Sequence, residues 1–230
     1  MFRLKTQKLL YGKYLYKVVV RTALANIFRT EYQTRGQLSH ARSELDKLRD
    51  LRDRNLPMQI QKWRAVVPVK HSEWLDARRI YMVLKSQEDY TVRINPYNLV
   101  SVYTNNEKLV DTLERVAEYT YEISKPQSQE IETLLTQKNV IITDTIPKFP
   151  LRVIINSNTK PNSDFALWLK ANTDKSKIGV KALAAIENGW FSGGFYFYVR
   201  DEKVLNMIYL LIGSSIRRVE KLVYSGNLDK

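Results

Sequence analysis

One phrase occurs twice in this chain, and each copy runs from an aromatic strand through an acidic turn into an apolar helix. The first is "NLVSVYTNNEKLVDTLERV", Asn98 to Val116, and the second "GGFYFYVRDEKVLNMIYLL", Gly193 to Leu211. At an offset of 95 residues, Asn106-Glu107-Lys108-Leu109-Val110 faces Asp201-Glu202-Lys203-Val204-Leu205, and Tyr103 faces Tyr198. Acidic residues at a helix start suit the positive end of its dipole, so the match has a structural cause and leaves true duplication open.

The flanking elements extend both copies. In the first, "HSEWLDARRIYMVLKSQ" reads as a helix with Ser72 as its cap; "YTVRI" and "LVSVY" form a hairpin about the turn-type cluster Asn95-Pro96-Tyr97-Asn98; "YTYEIS" is a closing strand. With "WRAVVPV" as the opening strand, the order is β-α-β-β-α-β. In the second, "LRVIINS" opens, "NSDFALWLKANT" is a helix, "KIGVKALAAIENGW" suits a helix better than a strand, "GFYFYV" is a strand, Asp201 to Gly213 a helix and "RRVEKLVY" the last strand. Two split β-α-β units with antiparallel sheets are expected, each ferredoxin-like, with both helices on one sheet face and the other face open to a ligand or partner. The predicted division is a basic strand-helix extension over 1–60 packing on the first unit, a first unit over 61–125, a connector over 126–150 and a second unit over 151–230.

Charge is unevenly spread along the 230 residues. Residues 1–70 carry 16 Lys+Arg against 5 Asp+Glu, residues 71–150 carry 9 against 12, and residues 151–230 carry 12 against 7, within a net +13. A basic first third suggests a surface that meets a polyanion. "KYLYKVVVR" alternates so that Lys13, Lys17 and Arg21 share one face, with Tyr14, Tyr16, Val18 and Val20 on the core face. Arg29, Arg35, Arg42, Arg49, Lys62, Arg64 and Lys70 continue the basic series. Arg217 and Arg218 form a smaller basic spot, and Arg152 lies in the strand beside "GFYFYV". If Phe195 and Phe197 face the helices, Tyr196 and Tyr198 stand on the open face, where tyrosine rings stack on unpaired bases. "GGFYFYVRD" resembles the aromatic third strand of the RNA-recognition motif, departing from it in Tyr196, where that motif has a small residue, and in Arg200, where it has an aromatic.

Leu38, Ala41, Leu45 and Leu48 make an apolar helical seam too short for a coiled coil, suited to packing on the body or on another chain. The absence of cysteine excludes disulfides, thiolate metal sites and cysteine nucleophiles. No apolar run approaches the about 20 residues of a membrane span. The basic start lacks the apolar block and cleavage site of a signal peptide. His40 and His71 sit near helix starts at no metal-ligating spacing, and the strand carboxylates Glu122, Asp144 and Glu220 fall one per strand. The expectation is therefore a non-catalytic binder of nucleic acid, single-stranded favoured, with no cofactor, metal or membrane. It would be a cytoplasmic accessory factor in replication, transcription or RNA handling, with a viral origin (host cytoplasm or virion) among the candidates. Runners-up are an assembly subunit that binds other protein chains, or forms a homo-oligomer, through the 38–48 seam, and a metal-dependent nuclease or polymerase-like enzyme.

Overall fold

Residues 1–29, 38–62, 65–156, 163–189 and 194–228 are described by the computed structural model, which is α+β and divides into two units, Met1–Gln127 and Ser128–Lys230. In chain order, unit 1 contains β1 (Phe2–Lys5), β2 (Tyr16–Arg21), a 3-10 turn at Ala25–Phe28, α1 (Ser39–Asp53), β3 (Gln59–Lys62), β4 (Ala65–Pro68), α2 (His71–Lys85), β5 (Tyr90–Asn95), β6 (Leu99–Thr104), α3 (Glu107–Val116) and β7 (Tyr119–Lys125). Unit 2 contains α4 (Ile131–Thr136), β8 (Val140–Thr143), β9 (Leu151–Ile155), α5 (Ser163–Ala171), β10 (Ser176–Ile178), α6 (Val180–Glu187), β11 (Tyr196–Val199), α7 (Glu202–Ile212) and β12 (Ile216–Tyr224).

The two five-stranded sheets have matching orders, β1-β7-β2-β6-β5 and β8-β12-β9-β11-β10. In each, the leading strand runs parallel to the last (β1 with β7, β8 with β12), and every other pairing is antiparallel. The sheets are thus mixed rather than wholly antiparallel, because each recruits a strand that precedes its opening β-α element. The likeness of the two phrases at Tyr103 and Tyr198 extends to the whole sheet topology.

Three expectations change. Residues 1–60 are not an extension packed on a finished unit, since β2 lies at the centre of the first sheet between β7 and β6. Of the run "WRAVVPV", Trp63 and Arg64 lie outside the described residues, and Ala65–Pro68 does not open that sheet, because among the described residues β4 pairs with β3 alone. Unit 2 takes in the segment read as a connector, since β8 joins its sheet.

Alternation places the cores. Val18, Val20, Val100 and Val102 are fully buried on one face of the first sheet. That face meets α3, for Arg3 reaches Glu114 at 2.7 Å and Lys125 reaches Asp111 at 2.7 Å. Helix α2 packs beside α3, and α1 packs on α2, where the Trp74 indole Nε1 donates to the Leu45 carbonyl at 3.2 Å. The seam of Leu38, Ala41, Leu45 and Leu48 is buried in this layer, so it presents no apolar surface to another chain. In unit 2, Val153, Ile155, Phe197 and Val199 form one core with Phe165 and Leu169 of α5, Ile186 of α6, and Val204, Ile208 and Ile212 of α7. At α3 and α7 the caps are Asn106 and Asp201, whose side chains accept from the amides of Lys108 and Val204. At α2 the cap is Lys70 and not Ser72; Glu73 folds back to accept from the Lys70 amide at 2.9 Å.

Candidate functional site

β11 sets the geometry of the second sheet's outer face. Phe197 is fully buried and meets Phe165 edge-on at 5.4 Å, so the period of two turns Tyr196 and Tyr198 to the face opposite the helices. Register then brings their neighbours in. Lys177 of β10 pairs with Tyr198, Tyr198 with Arg152 of β9, and Arg152 with Glu220 of β12, making one row across four strands. Tyr196, Ile154 and Arg218 make the adjacent row.

The side chains of these rows interlock. The Arg152 guanidinium lies over the Tyr196 ring at 3.7 Å from its centroid, within the range of a cation–π contact. Tyr196 and Tyr198 meet nearly perpendicularly, at 5.6 Å and 81°. Glu220, only 3% exposed, takes Arg218 Nη2 at 2.8 Å on one oxygen and lies 3.4 Å from Arg152 Nη1 on the other. Burial raises the Tyr198 phenol above its ordinary value, with the nearby Arg152 charge acting against it. Three cations share these rows with one carboxylate, leaving the face positive, and the Tyr196 side of it is open, with that residue 40% exposed.

The basic residues of the first third do not gather in this way. Lys17 stands on the helix-free face of the first sheet, held by Glu122 at 2.7 Å. Lys13 lies outside β2, in a turn, and pairs with Asp89 at 2.7 Å. Arg21 and Lys70 line a cleft of about 470 Å³ at the start of α2, where Glu73, Asp76 and Glu118 offset their charge. Arg42 and Arg49 lie in the helix layer, in a cleft of about 300 Å³ with Arg78, Lys85, Tyr81 and Asp46; Arg49 contacts Asp46 at 3.2 Å. Arg29 is exposed after the 3-10 turn, and Arg217 is exposed at the β12 bulge. Lys62 ends β3, while Arg35 and Arg64 lie outside the described residues. Sheet parity and the separation of layers thus place the described members of the expected single patch in separate surroundings.

The reading from sequence therefore names Arg152, Tyr196, Tyr198 and Arg218 of the assembled group. It misses Lys177, whose strand is three residues long and merges with the next helix in hydropathy, and it sees in Glu220 only an isolated carboxylate. As for catalytic groups, His40 and His71 fall in the first turns of α1 and α2, and Glu122 and Glu220 are engaged by cations. Among the described residues, no three His, Asp or Glu side chains gather as a metal-binding group. No described helix is long and apolar enough to cross a membrane. Comparison with protein-family models, curated proteins and solved structures returns no match.

Proposed function

We propose that this chain binds single-stranded nucleic acid without catalysis, and that the outer sheet face of unit 2 is its principal contact. Both units are read as ferredoxin-like folds preceded by an extra parallel strand; on this reading their common topology reflects duplication. The observation that carries the function is the alternation in β11, which buries Phe197 and Val199 while displaying Tyr196 and Tyr198 among Arg152, Lys177 and Arg218.

The chemistry suits unpaired bases better than a duplex. A base stacked on an exposed tyrosine contributes roughly 1–3 kcal/mol whatever its identity, and the edge of a paired base inside a helix offers no such face. Arg218 and Lys177, at the two flanks of the tyrosines, suit the phosphates that run past the stacked bases. Glu220 partly neutralises the pair of arginines, so the ionic share of affinity is modest. Two to three phosphate contacts give a slope of about −1.4 to −2 in log affinity against log salt for a single strand.

Fluorescence anisotropy with labelled 20-nucleotide single strands and the matching duplex, over a salt series, tests the reading. The single strand is expected to bind more tightly than the duplex, and Tyr196→Ala to weaken it by roughly five-fold or more. No binding at low salt, or binding indifferent to Tyr196 and Arg218, overturns the proposal.

A further inference from the structure

The helix-free face of unit 1 repeats the constellation just described, with its parts supplied from different places in the chain. The matching sheet orders make β2, β6 and β7 the counterparts of β9, β11 and β12. In the first sheet Lys17 of β2 pairs in register with Tyr103 of β6; in the second, Arg152 of β9 pairs with Tyr198 of β11. Each cation meets a carboxylate of the last strand, Lys17 with Glu122 at 2.7 Å and Arg152 with Glu220 at 3.4 Å.

The outer ring shows the same arrangement by another route. Two residues before the inner tyrosine, β11 carries Tyr196, whereas β6 carries Ser101, small and fully buried. The ring that Ser101 cannot supply comes from Tyr11, in the segment between β1 and β2. It packs edge-on against Tyr103 at 4.8 Å and 85°, compared with 5.6 Å and 81° for Tyr196 against Tyr198. In both units an arginine covers the outer ring, Arg93 over Tyr11 at 4.1 Å and Arg152 over Tyr196 at 3.7 Å. Tyr11 is 53% exposed and holds φ +54°, a left-handed backbone that residues with side chains seldom adopt. The Tyr103 phenol beneath it is pushed up to about 12, by burial first and then by its hydrogen bond with Tyr11.

We propose that Tyr11 and Arg93, seated on Tyr103, form a second stacking site for an unpaired nucleobase, in unit 1. This inference rests on the single-strand reading of unit 2 and extends it. The two sites differ in charge. Tyr11 and Tyr103 stand with the cations Arg93 and Lys17 and the carboxylate Glu122, whereas the rows of Tyr196 and Tyr198 hold the three cations Arg152, Lys177 and Arg218 with the carboxylate Glu220. The site in unit 1 is therefore the weaker of the two and the less sensitive to salt.

The test is the stoichiometry of a six-nucleotide thymidylate on the full chain, by calorimetry and native mass spectrometry at low salt. Two are expected on the wild type, the weaker being lost in Tyr11→Asn and in Arg93→Gln and kept in Tyr11→Phe. Asparagine tolerates the left-handed backbone, so the first variant removes the ring without straining the turn, and its circular dichroism should match the wild type while the melting temperature falls by only several degrees, for the lost ring contacts. Tyr196→Ala should leave the weaker site alone. If the wild type binds one oligonucleotide, lost with Tyr196 and indifferent to Tyr11, the unit 2 reading stands and this one falls. It also falls if Tyr11→Asn still binds two, or if a single site needs both tyrosines. If the wild type binds none, the function proposed for unit 2 fails, and this site with it.

Discussion

Replacing Glu220 by glutamine should make the protein less stable and a tighter binder at once. The carboxylate is buried between Arg218 Nη2 at 2.8 Å and Arg152 Nη1 at 3.4 Å, and Glu220→Gln keeps its shape while removing its charge. A hydrogen bond to a charged group contributes about 1.5–3 kcal/mol. The amide oxygen retains part of that, and Arg218, with its side chain 44% exposed, recovers part in water. A net loss of about 1–2 kcal/mol follows, or about 4–16 °C in the melting of a unit of this size. The outer face meanwhile gains one unit of positive charge beside the stacking tyrosines. One further phosphate neutralised steepens the salt dependence of single-strand affinity by about 0.7. At low ionic strength the gain should be about two- to ten-fold, from a charge pair at several ångströms near a wet surface. Urea unfolding followed by circular dichroism reads the first effect, and anisotropy over a salt series the second. Unchanged stability would refute the buried bridge. Affinity that falls together with stability would refute the electrostatic argument, since Glu220 would then be holding Arg152 in its working position and not opposing it.

The two faces of β11 should respond oppositely to truncation. Phe197→Ala empties a fully buried position and should cost about 3–5 kcal/mol in urea unfolding, whereas Tyr196→Ala, which loses the Arg152 and Tyr198 contacts of a 40% exposed ring, should cost about 1–2 kcal/mol while weakening oligonucleotide binding. Burial pushes the phenols of Tyr90 and Tyr103 up to about 12, above the 10 of an unfolded tyrosine, so their stabilising contribution is complete below pH 10 and is lost as pH rises from 10 through 12. Absorbance at 295 nm should show these two ionising well above pH 10; their titration at pH 10 with the fold intact would contradict the packing described.

Period-two patterns were the most legible part of this chain. Register puts Tyr16, Val18 and Val20 on the helix side and Lys17 and Val19 on the other, as the sequence predicts for them, but Val19 is buried too, and Tyr14, expected on the core face, lies outside β2 with its hydroxyl 2.8 Å from Thr91 Oγ1 in the row of Lys17. The same logic found Tyr196 and Tyr198, because Phe197 between them has no polar atom to satisfy. Partnership was not legible. "AVVP" is as apolar and β-branched as a central strand, yet β4 pairs only with β3, while the true centre, β2, finds β6 some 80 residues downstream. Nothing local encodes such a pairing. The separation of the cations has a related cause. Lys17 and Arg42 belong to one basic third of the sequence, but one stands on a sheet strand and the other on a helix packed on α2 and the 3-10 turn. Tyr11 was invisible altogether, since it belongs to no periodic element and its place is fixed by a turn with positive φ at Tyr11 and Gly12.

The parallel leading strands have one more consequence. β7 and β12, at seven and nine residues, are the longest strands of their sheets. Without β1 and β8 beside them, each would offer an unbroken rim of bare amides and carbonyls to any extended peptide nearby, the geometry by which folded proteins recruit one another into fibrils. Four-residue strands now occupy those rims, the first of them carrying Arg3 and Lys5, and a short, charged border is a poor template for further growth.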